Sequence, residues 1–145
     1  MAPRGGPPAR PARPGPYRNT PAREALEALV TEPTTAAIDL LLTACLRGSL
    51  VVDITGSQPG GVPHLRTVAT TTGEQVLPLF TSTDEVRTAV PRAQHPRVQM
   101  LVLPGREAFA LIGTADFVAV QLDPGSIAQV VARSFIERAL DTERP

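Results

Sequence analysis

Between Leu40 and Gly125 short apolar runs alternate with turn-forming residues, and that rhythm admits few architectures. Leu50–Ile54, Leu65–Thr71, Gln75–Phe80, Val98–Leu103 and Phe117–Leu122 have the length and content of strands. Thr72-Gly73-Glu74 separates the second run from the third and predicts a hairpin. Pro78 argues against a central position for the third run, which should lie near an edge or carry a break. The uninterrupted Phe117–Val120 suits a central strand.

Helical spacing fills the intervals. Thr20-Pro21 reads as an N-cap with proline at the first helical position, and Leu26, Leu29 and Val30 mark one face of a helix ending near Thr31. A second helix, Thr34 to Arg47, carries a wide stripe of Ala37, Ile38, Leu41, Leu42, Cys45 and Leu46, with Gly48 at its expected stop. Ser82 and Glu85 have capping-box spacing and start a helix with Val86, Ala89 and Val90 inward. Pro104-Gly105-Arg106-Glu107 opens another through Leu111. Asp123-Pro124-Gly125-Ser126 is expected to cap a last helix with the stripe Ile127, Val130, Val131, Phe135 and Ile136. Gly56–Pro63 and Pro91–Pro96 read as loops. The fold class is α/β (α+β): one small domain, a mixed sheet of about five strands with helices packed on it.

At 145 residues there is room for one core, and with aromatic content of 3% and no Trp that core is aliphatic. Residues 1–18 are rich in proline and arginine without an acid, which predicts a disordered tail ahead of a domain at 19–145. All 14 basic residues are arginine. Schiff-base and lysine general-base mechanisms are therefore excluded, as is a Walker A lysine. The formal net charge is zero, so nucleic acid is not an expected partner. No apolar run approaches the roughly 18 residues of a membrane span. With one cysteine and no apolar leader, a cytoplasmic location is expected.

The chemistry-bearing residues do not assemble into a catalytic or metal-binding pattern. His64 and His95 flank prolines in predicted loops, match no metal spacing, and are expected to face solvent. Cys45 lies on an apolar helix face and is expected to be a core residue. No Gly-x-Ser-x-Gly elbow supports a serine nucleophile. The Gly60-Gly61 loop lacks the glycine spacing of a phosphate site, and Pro59 and Pro63 each remove a donor. Asp53 is a charge in an apolar strand and requires an edge position or a partner such as Arg66. No catalytic, cofactor or metal residues are assigned.

Leu40 to Leu50, the hairpin leading to Leu77-Pro78-Leu79-Phe80-Thr81-Ser82, Leu103-Pro104-Gly105-Arg106-Glu107 and Leu122-Asp123-Pro124-Gly125-Ser126 follow one another in an order that resembles the bacterial SseB N-terminal domain family. The resemblance spans roughly residues 36–130. It implies a small cytoplasmic α/β domain without an agreed activity or catalytic residues. Val51-Val52-Asp53-Ile54 departs from the Leu-Val-Pro-Val that such proteins tend to carry after the helix. The expectation is a non-enzymatic interaction or regulatory module that binds a protein partner or a second copy through a sheet edge, with the exposed edge of the hairpin and the strand-to-helix turns at Ser82 and Ser126 as its candidate surfaces. The alternative is a sensor or accessory domain that holds an anionic ligand at the strand-to-helix turn of Asp123–Ser126, where free N–H groups welcome negative charge.

Overall fold

A computed structural model describes residues 16–142. Helices α1 (Thr20–Thr31) and α2 (Thr35–Arg47) lead into β1 (Ser49–Asp53), and a long loop crosses to β2 (Val68–Ala69) and β3 (Gln75–Leu79). Then come α3 (Thr83–Ala89), a 3-10 turn at Arg92–Arg97, β4 (Met100–Pro104) and α4 (Gly105–Ala110). After a second 3-10 turn, β5 (Phe117–Leu122), β6 (Gln129–Ala132) and α5 (Arg133–Thr142) complete the order.

The strands form two sheets. One pairs β1 with β4 antiparallel; the other has the order β2-β3-β5-β6, with β3 and β5 parallel and the outer pairs antiparallel. Val51 and Phe80 join the two by exchanging backbone hydrogen bonds of 2.8 and 3.0 Å. Pro78 consequently sits in an internal strand, and the geometry explains why it is tolerated. β2 pairs only with Gln75 and Val76, and the Phe80 N–H turns toward Val51. By the two-residue period of a strand, the donor that Pro78 lacks would face the gap between β2 and β1.

Two apolar layers flank the sheets. The larger gathers Leu26 and Leu29 of α1, Leu41, Leu42 and Cys45 of α2, and side chains from β1, β3, β5, α4 and α5. The smaller is Val51, Phe80 and Val86, with Tyr17, Met100 and Val102 around it. β1 lies between them: Leu50 and Val52 enter one layer and Val51 the other, so its sequence is apolar without alternation. Each wholly buried leucine or phenylalanine contributes about 1.5–3 kcal/mol.

Several sequence expectations are corrected. On α1 the buried face is Ala22, Leu26 and Leu29, while Val30 turns outward. On α3, Val86 and Val90 are buried but Ala89 is not. The hairpin arm expected over Leu65–Thr71 narrows to Val68–Ala69. The last helix begins only at Arg133, because Gln129–Ala132 pairs with β5 as a sixth strand. Val130 and Val131 satisfy helical spacing, but as β-branched neighbours they suit a strand, with Val131 inward and Val130 outward. Tyr17 and Arg18, the last residues of the segment expected to be a tail, pair with Thr83 and Ser82. The rest of that segment, residues 1–15, lies outside the described residues.

Gly105 is required sterically. A Cβ there would collide with the carbonyl oxygen of Cys45, so its absence lets α4 start against the end of α2. Gly48 ends α2 where the stop is expected, with extended angles (φ −115°). It is small because a Cβ would sit 2.6 Å from the Asn19 side-chain nitrogen. No helix among the described residues is long and apolar enough to cross a membrane.

Candidate functional site

The most concentrated polar chemistry lies where β5 ends. Asp123 is fully buried and adopts a left-handed backbone (φ 49°), which a short polar side chain tolerates. Its carboxylate accepts from the Thr81 N–H (2.8 Å), the Thr81 hydroxyl (2.7 Å) and Nη1 of Arg23 (2.7 Å). The same guanidinium donates to Glu85 at 3.0 Å and, through Nε, to Glu27 at 3.0 Å. Ser126 accepts from Arg23 at 3.2 Å and donates to Glu85 at 2.6 Å.

Ser82 caps α3 by accepting from the Glu85 N–H at 3.1 Å, but the Glu85 carboxylate does not close a capping box. It turns to Arg23 and Ser126 instead. The two turns at Ser82 and Ser126, distant in sequence, are thus one site, clasped by a residue of α1. Burial acts most strongly on Arg23, lowering its pKa; hydrogen bonds to Glu27 and Asp123 and the fields of Glu85 and Asp123 together outweigh it and leave the pKa raised. One guanidinium faces three carboxylates, so added negative charge is repelled. The Asp123–Ser126 turn leads into β6, not a helix, so the expected helix-terminal anion site does not form there. The cluster ties α1 and α3 to the segments that follow β3 and β5.

A second site has the opposite character. The segment Tyr17–Asn19 lies along Thr81–Thr83: Asn19 N–H donates to the Thr81 carbonyl (2.7 Å) and Thr83 N–H to the Tyr17 carbonyl (3.0 Å). The Tyr17 hydroxyl accepts from Ser49 N–H (3.0 Å) and donates to Ser49 O (3.1 Å). The Asn19 side chain caps α1 through Ala22 N–H and donates to Ser49 O and Ala44 O. Between this strap and α2 opens a groove of about 510 Å³. Its α2 wall is Leu40, Thr43, Ala44 and Arg47, the i, i+3, i+4, i+7 stripe opposite the buried one. Arg18 and Pro21 line the other side.

The profile of the SseB protein N-terminal domain matches residues 23–138, well over half of the chain. The chain belongs to that family. No curated protein matches it. Within this SseB domain the remaining sequence candidates fall apart. Asp53 is buried and bonded at 2.6 Å to Nε of Arg66, the partner expected, with Thr55 supplying two further donors. Cys45 is buried; burial foremost, and then the charge of Asp123, push its thiol up to about 12, so it is not a nucleophile at neutral pH.

His64 is exposed in its loop. His95 is half-buried, correcting the solvent-facing expectation: its Nε2 lies 2.9 Å from the carbonyls of Arg87 and Val90 and finishes α3. Gly61 spends its N–H on the Gln58 carbonyl. Among the described residues of the SseB domain, no group of three or more His, Cys, Asp and Glu is placed to hold a metal ion. Sequence reasoning missed Arg23 and Tyr17. The only local signal for Arg23 is its i, i+4 spacing to Glu27, and Tyr17 was hidden by its proline-rich surroundings.

Proposed function

We propose that this SseB domain is a non-enzymatic protein-interaction or regulatory module that works through a sheet edge. The observation carrying this reading is β6. It ends the larger sheet and pairs only with β5 among the described residues, and Val130 on it is 50% exposed. Val118 of the adjoining strand is also exposed. β2, the edge of the hairpin, has only two residues and offers too short a ladder for a partner strand. β6 has four, and an added strand gains main-chain hydrogen bonds and a seat against Val130. The Gln129 side-chain amide donates to the Val130 carbonyl at 2.9 Å. This guards the edge against indiscriminate pairing and is displaced when a partner adds.

The polar chemistry of the interior supports the non-enzymatic part of the reading. Asp123 and Asp53 are consumed by their own neighbours, and the Cys45 thiol stays protonated. Sedimentation velocity across the micromolar range tests the edge: the full chain should self-associate or take up a strand-forming partner, and Val130→Lys should abolish this without lowering the melting temperature. A strictly monomeric chain without any strand-dependent partner refutes the reading.

A further inference from the structure

We infer that the groove between the Tyr17–Asn19 strap and α2 is a docking site for a short acidic peptide segment of a partner protein, an apolar side chain of which seats on Leu40. This surface is separate from the β6 edge and stands independently of it.

Leu40 is 67% exposed in the middle of a helix whose opposite side is buried core. Ala44 continues the apolar track toward Gly48, and Arg47 closes the stripe at the end of α2. Arg18 faces it from the strap. Among the described residues neither Arg18 nor Arg47 is in an ion pair, whereas Arg23 is bonded to three carboxylates. Two cations beside an apolar track complement a ligand that carries carboxylates next to a leucine or phenylalanine. The volume is in the range of clefts that hold ligands, about 300–1,000 Å³. The wall is also pre-ordered: Asn19 and Tyr17 are fixed by hydrogen bonds to Ser49, so the peptide alone loses freedom on binding. Residues 1–15 contain Arg4, Arg10 and Arg13 and no acid, so their charge does not complement the two groove cations.

The test is a phage-displayed random-peptide library panned against the full chain, followed by titration of the selected peptide into ¹⁵N-labelled protein. The expected result is enrichment of acidic sequences with a leucine or phenylalanine. Gly48, Ala44 and Asn19 resonances should shift, and affinity should fall with added salt. Arg47→Gln and Arg18→Gln should each weaken binding about tenfold, as loss of one charge-assisted contact predicts. Leu40→Asp should abolish binding, with melting temperatures unchanged because all three side chains are exposed. Enrichment of neutral or basic peptides, or equal binding by the three variants, overturns the inference. So do shifts at Gly48 that depend on protein concentration without peptide, which would identify a second copy as the occupant.

Discussion

Arg23 and Arg47 stand on consecutive helices of one small domain and meet opposite fates. Arg23 is gripped by Glu27, Glu85, Asp123 and Ser126, whereas Arg47 faces open solvent beside an exposed leucine. The contrast separates two uses of the same side chain. Charge enclosed with partners clasps elements that are far apart in sequence, and Arg47, without an ion-pair partner among the described residues, stands exposed beside a groove. Buried aspartates bound by their own chain belong to the architecture here, and the Arg47 guanidinium belongs to the exposed surface.

Asp123→Ala attacks the enclosed half and should have the largest effect. It strands Arg23 and leaves the Thr81 N–H and hydroxyl without their acceptor, so chemical denaturation should register a loss of about 3–5 kcal/mol. A loss below about 1 kcal/mol would show that the cluster is not a clasp, and the contrast would fail.

Cys45 sharpens the comparison, because its thiol feels both burial and the Asp123 charge. Its pKa rises from 9.0 to about 12 on folding, so the unfolded chain loses the proton first. Stability should be intact below pH 9 and fall by about 1.4 kcal/mol per pH unit from there toward pH 12. Urea unfolding of wild type against Cys45→Ala isolates this slope. In the same protein, thiol reagents should modify Cys45 only after denaturant is added.

Arg47→Gln should change stability least, within about 0.5 kcal/mol in a thermal or urea melt. A cost several times larger would place Arg47 with Arg23 among the structural charges and close the groove as a candidate.

How much of this was legible in the sequence depended on distance along the chain. The α2 stripe, the apolar runs of β1, β3 and β5, and the Ser82 cap are local patterns, and each is where its periodicity put it. Asp53–Arg66 was also readable, because a charge inside an apolar strand demands a nearby counter-ion. β6 was not. Ile127, Val130 and Val131 fit a helical face as well as a strand, and only pairing of Val131 with Val120 decides between them. The clasp was illegible for another reason: Arg23 meets Asp123 across 100 positions, and no local rule selects one acid over the 13 others. Tyr17 was masked by composition, since a proline-rich approach gives no sign that its last residues act as a strap.

That strap has a practical bearing on where the unit can be cut. Likeness to the SseB family starts at residue 23, yet the cap of the first helix and the hydroxyl seated on the start of β1 belong to Asn19 and Tyr17. A fragment trimmed to the family's limits would lose its own fastening and one whole bank of the groove, so the mechanical edge of this domain lies upstream of its hereditary one.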